Sequence, residues 1–220
     1  MEGARRPVGL GDGRERARAG VPAARPRIVD AMPRHPKAPR ARVVLINGPP
    51  GAGKTVVGRR LAATARNGVC IDGDGLRRFV VSRREGEVEA GVGFLGAAAL
   101  ADTFLAAGYE LVVVDLRFAR GEQVKRFHRA LRSQAPVHLL TLWAPLRTLA
   151  ARDSRRADAA RVGERRLAAA WNELAAHLGE LGVLVDASGA PDLVVTEARQ
   201  ALRDPASLLG PLRAPARRAA

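Results

Sequence analysis

The chain has 220 residues, 47% of them hydrophobic, with a formal net charge of +15 and a single cysteine, Cys70. This length suits one folded domain with additional tails, while one cysteine excludes a disulfide-stapled scaffold and favours a reducing, cytoplasmic location. No apolar run approaches the ~20 residues that cross a bilayer, and the N-terminus lacks the apolar segment of a secretory signal, so we expect no membrane association.

The positive charge is unevenly spread along the chain. Residues 1–42 hold eleven basic and four acidic residues, and all but 3 of the 37 basic residues of the chain are arginine. Aromatic residues make up only 4% of the chain, too few for a basic surface with interleaved aromatics of the kind that binds single-stranded nucleic acid. The composition therefore argues against a nucleic-acid partner.

The first segment shows no hydrophobic periodicity. Residues 1–41 are rich in Arg, Pro, Ala and Gly and are predicted to form a disordered basic tail. We expect residues 42–203 to form the folded domain and residues 204–220 to form a flexible C-terminal tail.

A phosphate-binding motif follows the first predicted strand. Residues 43–47, VVLIN, are mostly apolar and β-branched and predict a buried strand. Residues 48–55, GPPGAGKT, follow directly and fit the pattern G-x-x-x-x-G-K-[ST], and apolar residues at helical spacing then predict a helix to about residue 66. Because strand, glycine-rich turn and helix are the context that this motif requires, we predict phosphate binding rather than a turn that merely caps a helix.

The residue types in this loop have physical reasons. Gly51 and Gly53 let the backbone curl around an anion, and the helix N-terminus offers unpaired N–H groups with partial positive charge. The two prolines after Gly48 have no N–H, so the donors are expected from Gly51 to Thr55. Lys54 would reach the β- and γ-phosphates, and the Thr55 hydroxyl would hold Mg²⁺. The predicted nucleotide-binding residues of the loop are Gly48, Gly51, Ala52, Gly53, Lys54, Thr55 and Val56.

The rest of the chain alternates between short apolar strands and helices. Further strands are predicted at residues 69–71, 111–115, 137–143 and 183–186. Further helices are predicted at residues 92–107, at 121–132, from a proline in the first turn at 145, across 167–178 and at 192–202. This alternation predicts an α/β fold with a doubly wound parallel sheet and helices on both faces. Ligands in such sheets bind at the carboxyl ends of the strands, so the polar residues that end the first three strands should converge.

Asp115 ends the clearest strand and is interpreted as the second acidic element that holds Mg²⁺ together with Thr55. Leu116 stands where many motor-type ATPases carry a glutamate that activates water, and the sequence has no Asn-Lys-x-Asp guanine-reading motif. Both features favour phosphoryl transfer to a bound acceptor over nucleotide hydrolysis. The alternative is an aspartate that ends a strand and caps a turn.

Asp74 is the predicted acceptor-facing carboxylate, because it follows a strand end beside the phosphate loop. A carboxylate there can orient a hydroxyl and take its proton late in the transfer, and its positioning is expected to matter more than its basicity. Asp72 is the rival, since either aspartate could instead bond to backbone N–H groups in the glycine-containing turn. The predicted substrate contacts are Asp72, Arg77 and Arg78.

An arginine-dense segment at residues 152–161, RDSRRADAAR, is predicted to form a lid over the nucleotide. A loose transfer state spreads charge over the phosphoryl oxygens and needs cations near them, and lid closure also excludes water. Arg155 and Arg161 are the predicted catalytic cations, and Arg152 and Arg156 the predicted nucleotide ligands. The alternative for any one of them is a solvated helix face in an arginine-rich protein.

These motifs resemble those of small-molecule P-loop kinases, especially the chloramphenicol phosphotransferase-like group and its zeta-toxin-like relatives, of the AAA_33 type. The likeness spans about residues 43–188 and rests on GPPGAGKT, the aspartate of IDGDGLR, AGYELVVVD, the helix around EQVKRF, RDSRRADAARVGER and VDAS. It implies a five-stranded parallel sheet with a lid, ATP as donor and a small-molecule hydroxyl as acceptor. Lys54, Thr55 and Asp115 match the nucleotide and Mg²⁺ positions of that group. Asp74 matches its acceptor-facing carboxylate.

The predicted function is therefore ATP- and Mg²⁺-dependent phosphotransfer to a hydroxyl of an antibiotic, nucleoside or sugar-like metabolite. Within the enzymes, the alternatives are a zeta-toxin-like nucleotide-sugar kinase and an adenylylsulfate-kinase-like enzyme, whose Asp-Gly-Asp segment IDGDGLRR resembles. Arrest of growth on expression would indicate the toxin-like enzyme, and protection from a drug a resistance kinase. A non-catalytic regulatory protein would instead bind nucleic acid in a salt-sensitive way through residues 1–41.

Overall fold

A computed structural model of the chain describes residues 41–79, 81 and 92–210. The strands are β1 Arg42–Asn47, β2 Gly68–Asp72, β3 Leu111–Asp115, β4 Val137–Trp143 and β5 Val183–Asp186. The helices are α1 Lys54–Ala62, α2 Gly73–Arg77, α3 Val92–Ala106, α4 Gly121–Ala130, α5 Leu146–Ser154, α6 Glu164–Ala175 and α7 Pro191–Ala201. The predicted N-terminal tail up to residue 40 lies outside the described residues.

The five strands form one parallel sheet in the order β2-β3-β1-β4-β5. The central strands β1 and β3 are nearly continuous apolar runs and are almost completely buried, as parallel strands covered on both faces should be. One core contains residues of α1, α5 and α7, and the other contains residues of α3 and α4. The predicted α/β fold with a doubly wound parallel sheet is confirmed.

The helix boundaries differ from the predicted ones at several points. α1 ends at Ala62 rather than near residue 66, because the chain turns back sharply and a Cβ at Gly68 would lie 2.0 Å from the Ala62 carbonyl oxygen. Pro145 is the residue before α5 rather than part of its first turn. The short helix α2, which directly follows β2, was not among the predicted elements.

The packed chain extends beyond the predicted boundary at residue 203. Ser207 is buried, Leu208 forms an antiparallel bridge with His138, and the N–H of Leu209 donates to the carbonyl oxygen of Val137 at 2.8 Å. Residues up to 210 therefore pack against β4, and the remainder of the predicted tail, 211–220, lies outside the described residues.

In the described part of the chain, no helix combines the length and apolar character that crossing a bilayer requires.

Candidate active site

The phosphate loop joins β1 to α1 through a backbone that only glycine adopts readily. Gly48 has φ +144°, and a Cβ on it would lie 2.5 Å from the carbonyl oxygen of Leu142. Gly53 precedes α1 in a left-handed conformation with φ +88°, and a Cβ placed there would meet nothing within 4 Å. The loop is therefore packed tightly against β4 at its start and opens into free space where α1 begins.

The first turn of α1 faces this open space. Its hydrogen-bond ladder starts with the N–H of Val57, which donates to the Gly53 carbonyl oxygen at 2.9 Å. The N–H groups of Lys54, Thr55 and Val56 belong to the first turn, where a helix offers no acceptor of its own. Ala52 differs from these residues, because its N–H donates to the carbonyl oxygen of Pro49 at 3.3 Å. Of the donors predicted from Gly51 to Thr55, the N–H of Ala52 is thus used within the loop, whereas those of Lys54 and Thr55 have no acceptor within the helix.

Lys54 folds back over the loop. Its Nζ donates to the carbonyl oxygen of Pro49 at 3.4 Å. Burial of the ammonium lowers the pKa of Lys54, and the nearby carboxylates of Asp115 and Asp74 partly oppose that shift. Lys54 therefore lies between the loop and two of the predicted carboxylates.

Asp115 is buried at the end of β3, in register with Ile46 of β1 on one side and Asp72 of β2 on the other. The Thr55 hydroxyl donates to its carboxylate in a short hydrogen bond. Burial raises the pKa of Asp115, and the charge of Lys54 and the Thr55 hydrogen bond oppose the rise. A buried carboxylate of this kind is costly to ionise and gains most from a bound cation.

Thr55 and Asp115 fit a magnesium ion. A hydroxyl and a carboxylate oxygen are the hard ligands that Mg²⁺ prefers, and this ion usually takes only one or two protein ligands besides phosphate and water. Within residues 41–79, 81 and 92–210, no group of three or more His, Cys, Asp or Glu side chains could hold a metal ion.

The two aspartates after β2 have different surroundings. Asp72 caps α2, because its Oδ1 accepts the N–H of Gly75 at 3.0 Å and its Oδ2 pairs with Arg78 Nη2 at 3.3 Å. Asp74 lies in the first turn of α2 and is exposed. Asp72 thus has the turn-bonding role that the sequence left open between them. Arg77 is in α2, and its side chain lies outside the described residues.

A close approach fixes α2 against β3. A Cβ on Gly73 would lie 2.4 Å from the Leu116 side chain and 2.7 Å from the Asp115 carbonyl oxygen. Only a glycine lets α2 approach the end of β3 this closely, which holds the turn that carries Asp74 beside Asp115.

A groove of about 480 Å³ runs along the edge strand β2 and helix α3. Its walls are mainly apolar, and two predicted substrate residues, Asp72 and Arg78, contribute to its lining. Cys70 lies in the same groove, and burial raises the pKa of its thiol to about 12, which keeps it protonated at neutral pH. Asp72 is the last residue of β2, so one end of the groove lies at the carboxyl ends of the strands, where the phosphate loop also lies.

The arginine-dense segment is held together by bonds from arginine to backbone. Arg152 Nη2 donates to the carbonyl oxygens of Ser188 and Gly189 at 3.0 and 3.3 Å. Arg161 donates to the carbonyl oxygens of Ser154 and Arg156 at 2.8 and 3.1 Å. In this structure these two predicted site residues therefore bond to the segment itself and to the loop after β5.

The two other arginines are arranged differently. Arg155 is exposed. Arg156 lies 3.7 Å from Asp153, and its charge lies close enough to Lys54 to lower the pKa of that ammonium. Of the four predicted arginines, Arg156 is the one whose charge reaches the phosphate loop.

The sequence did not identify Asp153, whose side chain joins the start of this segment to its end. Its carboxylate is buried and accepts the N–H groups of Val162 and Gly163 at 3.1 and 3.0 Å, just before α6 begins. These two hydrogen bonds hold the pKa of Asp153 below its usual value. An acidic residue ten positions before a helix-opening glycine is a weak signal in a chain with many charges.

Asn47 was also missed as a structural residue of the site. Its Oδ1 accepts the N–H of Phe118 at 2.9 Å, and its Nδ2 donates to Thr141 Oγ1 at 3.2 Å. The Thr141 hydroxyl in turn donates to the carbonyl oxygen of Leu181 at 2.6 Å. This chain of bonds crosses the sheet beneath the phosphate loop. An amide that ends an otherwise apolar strand was the available signal.

Comparison with known proteins identifies relatives of this fold. The AAA_33 family model, an AAA domain, matches residues 43–181. No curated protein sequence matches the chain. An unliganded sugar kinase from Janibacter sp. HTCC2649 is similar, with a TM-score of 0.59 and 18% identity over 74% of this chain and 95% of that chain.

Two further solved structures have the same fold. The tunicamycin resistance protein of Deinococcus radiodurans matches with a TM-score of 0.56 and 19% identity, covering 78% of this chain and 100% of that chain. A gluconokinase from Sinorhizobium meliloti 1021 matches with a TM-score of 0.51 and 17% identity, covering 74% and 93%. At such identities the likeness establishes the fold.

Proposed function

Because the chain belongs to the AAA_33 family and has the fold of small-molecule P-loop kinases, we propose that it transfers the γ-phosphate of ATP to a hydroxyl of a small molecule. The observation that carries the proposal is the arrangement at the carboxyl edge of the sheet. Lys54, Asp115 and Asp74 lie together there, beside a phosphate loop that opens into free space. Many motor-type ATPases carry a glutamate directly after the strand equivalent to β3, where it activates water for hydrolysis. In this chain that position is Leu116.

The phosphate loop would bind the triphosphate. N–H groups at the start of α1 and the Lys54 ammonium supply donors and positive charge for the β- and γ-phosphates. Thr55 and Asp115 would hold Mg²⁺, which when bound neutralises charge on the β- and γ-phosphate oxygens. Arg156 would add a cation from the arginine-dense segment, whereas Arg152 and Arg161 would keep that segment folded.

The transfer requires one bond to form and one to break. The acceptor oxygen bonds to the γ-phosphorus, the bond from that phosphorus to the bridging oxygen breaks, and ADP leaves with the electron pair. The hydroxyl proton passes to the Asp74 carboxylate and then to solvent. Asp74 is better suited than Asp72, because Asp72 already accepts an N–H and an arginine.

The acceptor would approach from the side of β2 and α2. Asp72 and Arg78 line the groove there, and its volume of about 480 Å³ suits a small molecule. The three solved relatives are named as a sugar kinase, a gluconokinase and a tunicamycin resistance protein. Those names fit an acceptor drawn from sugar-like metabolites or antibiotics, two of the classes that the sequence predicts.

The test combines nucleotide binding with phosphotransfer. Titration calorimetry should detect MgATP binding to the wild-type chain, and radiolabelled ATP should label an acceptor in a panel of sugars, nucleosides and hydroxyl-bearing antibiotics. Lys54→Ala should lower the transfer rate by about 10²–10³-fold, the usual cost of removing one charge-stabilising group. Lys125→Ala is the matched control, because that lysine is exposed on α4 and pairs loosely with Glu122.

Two outcomes would overturn the proposal. A wild-type chain that fails to bind MgATP has no donor site. A Lys54→Ala variant that transfers phosphate as fast as the Lys125→Ala variant shows that the loop does not carry the reaction.

A further inference from the structure

The loop after β3 holds a second cation at the edge of the sheet. Arg117 comes two residues after Asp115, between the fully buried side chains of Leu116 and Phe118. The N–H of Leu116 donates to the carbonyl oxygen of Ile46 at 3.3 Å, and the N–H of Phe118 donates to the Asn47 side chain. The backbone of Arg117 is therefore fixed to β1, the strand that leads into the phosphate loop.

The side chain of Arg117 is oriented by one acidic partner. Its Nη1 lies 2.9 Å from Oε2 of Glu173, on α6, and 33% of the arginine side chain is exposed. An ion pair with this exposure contributes little to stability, so its main effect is to orient the guanidinium. A guanidinium carries five N–H donors, and this contact uses one nitrogen of the group.

Arg117 also acts on the phosphate loop through its charge. The charges of Arg117 and Arg156 both lower the pKa of Lys54. These two arginines come from different parts of the fold, one from the loop after β3 and one from the segment after α5. Each arginine has one carboxylate partner, Glu173 or Asp153. The like charges of the two arginines and Lys54 disfavour one another, and an anion of high charge near them offsets that effect.

The strand order indicates which phosphate Arg117 faces. β3 lies between β1, which carries the phosphate loop, and β2, which leads to Asp74. The loop that begins at the end of β3 thus lies between the strands that lead to the donor and acceptor sides of the cleft, and the ion pair with Glu173 directs the guanidinium toward α6. The outermost phosphate of the nucleotide is the one that points toward the acceptor.

We propose that Arg117 contacts the γ-phosphate of bound ATP and that Glu173 is its positioning residue. This inference rests on the proposed function and adds to it a cation that is attached to the sheet. Unlike an arginine on a lid, Arg117 is in place before any closure. The γ-phosphate contact makes Arg117 a residue by which the site distinguishes ATP from ADP.

The test compares affinities for MgATP and MgADP by titration calorimetry. Arg117→Ala should weaken MgATP binding by about 10–100-fold, the usual effect of losing a hydrogen bond to a charged group. Binding of MgADP should stay within about twofold of wild type, because ADP has no γ-phosphate. Glu173→Ala should produce a smaller loss specific to ATP, and Glu173→Gln, which keeps an acceptor oxygen, should restore most of it.

The matched control is Arg129→Ala. Arg129 forms an ion pair of similar length, 2.8 Å, with Glu122, but both residues are exposed on α4. Its removal should leave both affinities unchanged. If Arg117→Ala does not fold, as judged by circular dichroism and its melting temperature, Arg117→Met keeps the apolar stem and the same ratio of affinities decides.

Three results would overturn the inference. Equal weakening of MgATP and MgADP binding would mean that Arg117 only supports the structure. Unchanged affinity for both would mean that Arg117 does not touch the nucleotide, while the proposed function stands. A wild-type chain that binds neither nucleotide would overturn the proposed function, and this inference with it.

Discussion

Charged side chains are held differently in two regions of the molecule. One region is the carboxyl end of the sheet around the phosphate loop, and the other is the arginine-dense segment after α5. At the sheet edge, Asp115 is buried with only 4% of its surface exposed, and strands on both sides fix its position. In the segment from 152 to 163, most side chains are exposed, and arginines bond to backbone carbonyl oxygens. One region is held by the sheet, and the other is held by its own charged side chains.

This difference explains why the sequence identifies the important residues of the phosphate loop but not those of the arginine-dense segment. In the phosphate loop the fixed positions of the motif, Gly48, Gly53, Lys54 and Thr55, accept only one or two residue types, so the sequence names the residue. In the arginine-dense segment many arginines satisfy the same requirement, and only their hydrogen-bond partners separate those that hold the segment together from those proposed to reach the nucleotide. Four predictions test this contrast.

The largest effect is expected from Asp115→Asn at the sheet edge. Loss of the carboxylate removes a ligand for the metal, so the phosphotransfer rate should fall by about 10²–10³-fold at saturating ATP. A magnesium titration of the steady-state rate measures this loss. Asp158→Asn in the arginine-dense segment is the matched control, because Asp158 is exposed and pairs only with Arg161 in the described bonds. Equal losses for the two variants would contradict the assignment.

Substituting one glycine in each region compares how tightly the two backbones are packed. Gly48→Ala introduces a Cβ at 2.5 Å from Leu142 O and at φ +144°, so the free energy of unfolding should fall by about 3 kcal/mol or more. Gly163 also has a positive φ, +84°, with ψ 146°, but a Cβ on it would meet nothing within 4 Å, so Gly163→Ala should cost only the backbone strain, about 1–3 kcal/mol, without the added clash. Urea unfolding measures both. Similar losses would show that the sheet edge is not packed as described.

Two arginines of the arginine-dense segment should have different functions. Arg156→Ala should lower kcat by about tenfold with little change in melting temperature, because its charge reaches Lys54. Arg161→Ala removes two bonds to carbonyl oxygens, each worth about 1 kcal/mol, and should make the segment more sensitive to thermolysin. Steady-state kinetics and timed proteolysis distinguish the two. If Arg161→Ala instead lowered kcat and Arg156→Ala increased the sensitivity to thermolysin, the roles assigned to these two arginines would be reversed.

The smallest effect is expected from Asp153→Asn, and it should depend on pH. The pKa of Asp153 is lowered in the folded chain, so its ionised carboxylate stabilises the fold above the ordinary pKa of about 4 and loses this effect as the pH falls through the lower folded value. At pH 7 the variant should therefore melt below the wild type. The gap should narrow below about pH 4. A gap that stays constant from pH 7 to pH 3 would contradict the charge-based explanation.

The fold was largely accessible from the sequence. The pattern of apolar runs predicted all five strands, and the boundaries of β3, β4 and β5 match those of the structure. Periodicity succeeds here because strands buried on both faces must be apolar throughout. It failed for α2, whose five residues include two glycines, because such a helix depends on the Asp72 cap and on close packing against Leu116.

The site was accessible only where the chemistry allows a single residue type. Lys54 and Thr55 could be named from the motif and Asp115 from its place at the end of an apolar strand, and the structure brings them together. The bonds of Arg152 to Ser188 and Gly189 join residues 36 and 37 positions apart, and no local pattern reveals such partners. Arg117 escaped notice for the same reason, since its partner Glu173 lies on a distant helix. The catalytic roles themselves stay predictions until the variants are measured.

The hydrogen-bonded chain through Asn47 has a consequence for how a nucleotide is received. It links the end of β1 to the loop after β3, to β4 and to the turn before β5, so these parts are held in fixed positions relative to one another. A triphosphate that binds as proposed would therefore meet a site that is assembled in advance. The loss of conformational entropy on binding is then confined to long side chains and to the segment after α5, which leaves more of the contact energy for affinity.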